Sequence, residues 1–334
     1  MFQLFKKWST GFIGLMIVIP SLAMATPELV QRADVQQFMQ EMVQKNHFTE
    51  TELNDWFSST NLQPKIIETM KRPAETKPWH QYREIFLTAQ QIEKGVQFWK
   101  ENQETLARAQ KKYGVPPEII IAIIGIETRY GKNQGQYKII DALSTLAFDY
   151  PPRATFFRGE LEHYLLLCRE QHFDPLSLRG SYAGAMGIPQ FIPSSYRHYA
   201  INFDKGDQAN LFESTDAIGS VANYFKQHGW ESNKPIASKA SLVGADYKKK
   251  LANRSNPIPN TTLKTLKEYG VSPRLSAAPN TLATLIELEQ VTKPEYWVTF
   301  KNFYVITRYN HSSLYAMAAY QLSEKIREAH ENRI

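Results

Sequence analysis

Apolar and polar positions recur at helical spacing through most of this chain, and in one stretch the alternation stops. From Val115 to Ile126 nearly every residue is apolar, and the run ends in Glu127-Thr-Arg-Tyr-Gly131. Pro116 and Pro117 suit a first helical turn, where a missing N–H costs nothing. Gly131 suits the left-handed residue just past a helix end. A helix apolar on every side is a core helix. Glu127 therefore leaves a buried segment beside a low-dielectric wall. Such a setting raises a carboxyl pKa and keeps the group protonated near neutrality, as a general acid requires. The alternative is a Glu just beyond a core helix, solvated or paired with an Arg.

Before this stretch the pattern is helical and polar-rich. Val35–Val43 carries apolar residues at helical spacing. Thr49 and Thr51 read as caps, and Thr51–Trp56 starts a second helix. Met70–Pro78 is a proline-broken connection. Trp79, Tyr82 and Phe86 lead into a helix running towards Ala107; these aromatic residues suit either core packing or a sugar-stacking surface. After Gly131 come helices over Tyr137–Ala147 and Phe156–Arg169, separated by Tyr150-Pro-Pro-Arg153. Arg179–Tyr196 is dense in glycine and small residues, which lets backbone approach backbone or ligand.

In Asn202–Asp216 oxygen-bearing side chains recur around Gly206, which suggests a calcium loop. Counted from Asn202, the fifth position is Gly206 and the sixth Asp207, so two inner positions depart from the EF-hand order. The alternative is a polar loop capping the helix that begins near Asp216 and ends at Gly229. From about Glu231 to Thr299 Ser, Asn, Pro and Lys become common. Leu282–Leu288, Tyr296–Phe300 and Phe303–Thr307 carry β-branched and aromatic residues and predict strands. A closing helix runs from Ser312 towards Glu331.

Composition narrows the picture little. The 334 residues, 43% hydrophobic and 22% charged, are globular values for a chain with more than one unit. The formal charge of +6 suits any polyanionic surface, and no dense basic block points to nucleic acid. The first residues say more. Lys6 and Lys7, an apolar stretch from Gly11 to Ile19, and Ala23-Met-Ala25 read as a secretory signal peptide cut after Ala25. A membrane anchor is the alternative, but the stretch is short for a span. Without residues 1–25 the formal charge is roughly +4. No Cys stands at the cleavage site, which disfavours a lipid anchor. Cys168 is the single cysteine and reads as a core residue. The implied compartment is the periplasm or the outside of the cell.

The chemistry is bounded by elimination. No His pair at helical metal spacing, Cys cluster, Gly-x-Ser-x-Gly elbow, P-loop or dinucleotide fingerprint is present. Glu127, many aromatic rings and the amide and hydroxyl groups of the Gly-rich segments suit glycan chemistry. A conventional glycosidase needs a second carboxylate. Asp141, Asp149, Glu160 and Glu162 follow in sequence, and nothing in the sequence places any of them across a cleft.

Four segments, Tyr113–Gly131, Gly180–Tyr196, Asp216–Trp230 and Asn302–His311, closely resemble those of the B-type lytic murein transglycosylases, in the family order. The resemblance covers nearly the whole mature chain. It implies an α+β, mostly helical protein: a lysozyme-like catalytic domain with a small α/β subdomain. It implies cleavage of the MurNAc–GlcNAc β-1,4 bond of peptidoglycan without water, giving a 1,6-anhydroMurNAc end. Glu127 is then the sole general acid and base. Ser181 and Gln190 lie near the acetamido group. Tyr82, Arg153, Tyr224, Tyr309, Asn310 and Tyr315 line the glycan cleft. Pro152 stands where the family has a second arginine. Asn202, Asp204, the Gln208 carbonyl and Asp216 take the ligand places of a structural calcium, with Gly206 where the family has Asp. No cofactor is required for the chemistry, and the expected partners are glycan strands and cell-wall synthesis proteins.

The expected organisation is a signal peptide (1–25), an N-terminal helical part (26–111), the catalytic core (112–230), a small α/β insertion (231–300) and a C-terminal segment returning to the cleft (301–334). Two other functions stay open: a water-using muramidase, and an inactive peptidoglycan-binding protein on the same fold.

Overall fold

The computed structural model describes residues 29–71, 77–252 and 256–332. The expected signal peptide lies outside them. Three helices open the chain: α1 (Ala33–Asn46), α2 (Glu50–Ser58) and α3 (Pro64–Met70). The short α4 (Trp79–Tyr82) precedes α5 (Ala89–Glu101) and α6 (Gln103–Tyr113), two helices where the sequence suggested one, with the break at Asn102. Next come α7 (Pro117–Thr128), α8 (Ile139–Asp149), α9 (Ala154–Glu170), α10 (Pro193–Tyr199) and α11 (Ser214–Gln227). The insertion holds α12 (Leu263–Glu268), and α13 (Lys301–Tyr309) and α14 (Ser313–Glu331) close the fold. Two short strands, β1 (Tyr137–Lys138) and β2 (Arg179–Gly180), pair antiparallel beside the Gly-rich segment.

α7 is the axis of the helical body. Ile119 to Gly125 are all buried, because α5, α6, α11 and α14 pack around it. Burying one such aliphatic side chain contributes about 1.5–3 kcal/mol, so a helix without a polar face is stable only when enclosed like this. At the periphery ordinary rules apply. Thr49 and Glu52 form a reciprocal capping box at the start of α2.

The insertion is a five-stranded antiparallel sheet, ordered β4 (Thr261–Thr262), β6 (Leu282–Leu288), β7 (Glu295–Thr299), β3 (Ala237–Leu242), β5 (Val271–Pro273). β6 shows why it sits where it does. Ala283 and Leu285 join a small core with Leu263, Leu266 and Val298, while Ile286 and Leu288 join the helical core. The two faces follow the period of two. Asn302 ties the two ends of the insertion together: its amide accepts from Glu231 N and donates to the Glu231 and Lys234 carbonyls.

One strand expectation fails. Phe303–Thr307 lies inside helix α13. The residues are β-branched and aromatic, but the buried ones are Asn302, Phe303, Val305, Ile306 and Thr307, with Tyr304 and Arg308 more exposed. Tertiary packing of that face overrides strand propensity.

Candidate active site

α7 ends two residues earlier than Gly131 suggests. Its left-handed residue is Arg129 (φ 52°), followed by Tyr130 (φ 63°) and Gly131 (φ 82°). Two non-glycine residues at positive φ carry real cost, and side-chain bonds hold them there. Tyr130 folds back over α7 and donates from its hydroxyl to Gln91 O at 2.7 Å, while Gln91 Nε2 donates to Gly125 O at 3.0 Å. Gly125 makes this possible, since a Cβ there would lie 2.7 Å from the Tyr130 ring. Thr128 Oγ1 accepts from Gly131 N and donates to Ile188 O, joining the turn to the Gly-rich segment. Glu127 is thus presented, half-buried, from the last turn of a clamped helix.

Tyr315, in the first turn of α14, donates to Glu127 Oε1 at 2.5 Å. Its ring stacks parallel to Tyr309 at 6.4 Å and 7°. Tyr309 in turn meets Tyr224 at 5.0 Å and Phe191 at 5.8 Å, and donates to Pro189 O at 2.5 Å. Tyr224 donates to Arg308 O at 2.6 Å and stacks on His228 at 4.0 Å. Burial, and next the charge of Glu127, push the phenols of Tyr309 and Tyr315 well above their ordinary pKa. Both therefore remain donors. Burial pushes the pKa of His311 down, as does the charge of Arg308.

Tyr309, Tyr224 and Phe191 border a cavity of about 390 Å³, within the range of small-ligand pockets. Arg153, Gln190, Tyr224 and Tyr309 line it, as expected from the sequence. Arg153 lies 4.3 Å over Phe156, which is exposed. Gln190 (φ 52°) donates to Gln134 O and Gly187 O. Ser181 Oγ accepts from Ala183 N and Ala185 N, which shapes its loop. Asn310 sits between Tyr309 and His311 at the end of α13.

Two expected cleft residues are placed differently. Tyr82 and Tyr315 are 2% and 3% exposed, so neither ring offers a face to a sugar. Tyr82 packs against Phe86 and Trp79 and lies close enough to raise the Tyr315 pKa. Phe156, Phe157, Ser195, Arg308 and His311 line the cavity and were not singled out as site residues. Phe156 and Phe157 are adjacent and alike in sequence, and only folding shows that Phe156 is the ring facing solvent.

Each candidate second carboxylate has a structural task elsewhere. Asp141 accepts from Asn61 N, Asp149 from Arg32, Glu160 from Ser194 and Glu162 from Asn46. None of the four lines the cavity.

The acidic loop does bring ligand-type oxygens together. Asp216, fully buried, accepts from Phe203 N, Asp204 N and Asn210 N. Asp204 accepts from Gly206 N, and the Asn202 amide donates to Gly206 O. Gln208 Nε2 donates to Glu170 O. The donor chemistry is all oxygen and fits a hard cation, but two carboxylates already serving backbone N–H groups make a low-charge set for calcium. Among the described residues no group of three His, Cys, Asp or Glu is placed to hold a metal.

A mostly helical body that presents one carboxyl beside an aromatic, amide-lined cleft defines a lysozyme-like class of glycan-cleaving protein. The chain belongs to the transglycosylase SLT domain family, whose profile matches residues 30–324. It is 41% identical over 315 residues to the membrane-bound lytic murein transglycosylase B of Escherichia coli K12, covering 90% of this chain and 84% of that one. The catenated lytic transglycosylase SltB1 of Pseudomonas aeruginosa superposes with a TM-score of 0.85 at 47% identity, covering 90% and 98%. The Escherichia coli lytic transglycosylase Slt35, solved in complex with calcium, superposes with a TM-score of 0.84 at 40% identity, covering 91% and 96%. No helix among the described residues is long and apolar enough to cross a membrane.

Proposed function

We propose that this lytic transglycosylase cleaves the MurNAc–GlcNAc β-1,4 bond of peptidoglycan by proton transfers through Glu127 alone. One observation carries the proposal: Tyr315 donates to Glu127, whose charge also acts on Tyr309 of the cleft wall, while the four carboxylates considered as partners are bonded elsewhere. In the first step protonated Glu127 gives its proton to the glycosidic oxygen. The C1–O bond breaks and the GlcNAc side leaves as an alcohol. In the second step the Glu127 carboxylate takes the proton from the C6 hydroxyl of the same MurNAc. The C6 oxygen bonds to C1, and the product is 1,6-anhydroMurNAc. An internal nucleophile has a very high effective concentration, so no base is needed to activate water. By the family resemblance Ser181 and Gln190 suit the acetamido group.

The signal-peptide pattern supports action in the periplasm. Asn202, Asp204, the Gln208 carbonyl and Asp216 would hold a calcium ion, which would cross-link the loop and take no part in the reaction.

Digestion of purified peptidoglycan tests this, with products weighed by mass spectrometry. The expected ends are one water lighter than reducing ends, and Glu127→Gln abolishes them. Reducing ends alone would instead establish a hydrolytic muramidase, and full cleavage by Glu127→Gln would remove Glu127 from its role.

A further inference from the structure

A second cavity lies beside the cleft. It measures about 700 Å³ and is bordered by His163 and Glu170 of α9 and by Ser194, Ser195, Arg197 and His198 of α10. Ser195 borders both cavities. The cleft and the seam between α9 and α10 are therefore neighbours, with Ser195 between them.

The seam follows one face of α9. Phe156, Glu160, His163 and Glu170 recur at steps of four, three and seven, which is a single helical stripe. Phe156 lies in the cleft, and Glu160 lies under the seam, where its buried carboxylate accepts from Ser194 N and Ser194 Oγ. His163 and Glu170 meet Arg197 at the far end. Arg197 donates from Nε and Nη2 to Glu170 at 2.9 and 2.6 Å, and from Nη1 to His163 Nδ1 at 2.6 Å. An arginine only donates, so Nδ1 of His163 is the acceptor and its Nε2 carries the hydrogen. These bonds engage three of the five guanidinium N–H groups. The far end thus offers cationic donors beside a carboxylate.

We propose that this seam binds the peptide stem carried by the lactyl group of MurNAc. The proposal rests on peptidoglycan as the substrate and adds where its peptide goes. From Phe156 to His163, which Arg197 touches, the stripe runs roughly 10 Å at about 1.5 Å per residue. An extended four-residue peptide spans about 14 Å, so a stem leaving the sugar at the cleft reaches Arg197. The chemistry matches as well. A stem carries free carboxylates and an amine; Arg197 and His198 meet the former, and Glu170 the latter. A uniformly basic groove would not distinguish a stem from any polyanion.

The test reads binding, so that it does not depend on cleavage. The full chain carrying Glu127→Gln is titrated calorimetrically with GlcNAc-MurNAc-tetrapeptide and with the same disaccharide lacking the peptide. The peptide-bearing ligand is expected to bind at least about tenfold more tightly. Arg197→Ala removes most of that difference by weakening the peptide-bearing ligand alone. Arg197→Lys restores part of it. His198→Ala, which breaks no ion pair between α9 and α10, lowers it in the same direction. Equal affinity of the parent protein for both ligands overturns the proposal. So does a loss shared equally by both ligands in Arg197→Ala, which marks Arg197 as a tie between helices. Failure of the transglycosylase reaction shows separately, in the product masses of the active protein.

Discussion

Tyr315→Phe isolates the hydroxyl that holds Glu127. The ring is 3% exposed and stacks on Tyr309, so phenylalanine keeps its volume and its neighbours. What disappears is one hydrogen bond of 2.5 Å to Oε1. A hydrogen bond to a charged group contributes about 1.5–3 kcal/mol. If it serves the carboxylate that forms as the proton leaves, it acts in the transition state more than in the bound ground state. Each ~1.4 kcal/mol is tenfold in rate, so kcat should fall roughly 10- to 100-fold. KM should change by no more than about threefold, because the buried hydroxyl offers nothing to the sugar. Initial rates of release of anhydro-ended muropeptides give both constants. A thermal melt gives the structural cost, about 1 kcal/mol for a lost hydrogen bond. In the Glu127→Gln background the same change should have no further effect on residual activity, because the two groups act as a unit. An unchanged kcat, or an equal additional loss on Glu127→Gln, would refute the role given to Tyr315.

Asp216→Ala leaves the N–H groups of Phe203, Asp204 and Asn210 without their acceptor. Water can reach part of this loop, so the expected loss is about 3 kcal/mol; chemical denaturation reads it, and a loss near zero would show that the loop is not held by this carboxylate. Gly206→Asp adds a third carboxylate where the backbone allows it, since an added Cβ meets nothing closer than Asp204 Oδ1 at 3.1 Å. In this variant calcium should raise the melting temperature more than in the parent, up to about 2.7 kcal/mol of stabilisation at a hundredfold excess over Kd. Equal calcium responses in the two proteins would remove Gly206 as the limiting position.

How much of this was legible before folding depends on the kind of signal. The α7 helix was, because an apolar run closed by prolines at one end and a polar residue at the other has few alternatives. The calcium-type loop was half legible: the oxygens recur in sequence, but only the fold shows them turned on their own backbone N–H groups. The helix Lys301–Tyr309 was not legible, since its residue types favour a strand and its spacing is decided by what it packs against. Propensity and periodicity disagreed there, and packing decided.

The site itself shows why the remainder was hidden. The Glu127–Tyr315 bond joins residues 188 apart, and no local pattern announces such a pair. Tyr82 and Tyr315 look in sequence like any other cleft tyrosine. Both are buried: the Tyr315 hydroxyl is on Glu127, and Tyr82 is packed against Trp79 and Phe86. Sequence hides Arg129 and Tyr130 in the same way. They occupy left-handed backbone that Gly131 was expected to supply, and the cost is offset by bonds from Tyr130 to Gln91 and from Gln91 to Gly125. Glycine at those positions would relieve strain and leave the end of α7 free to unwind. A clamped turn of non-glycine residues instead fixes the direction in which Glu127 leaves the core, and a carboxyl that must both give and take a proton on one sugar needs that fixed direction more than it needs an unstrained backbone.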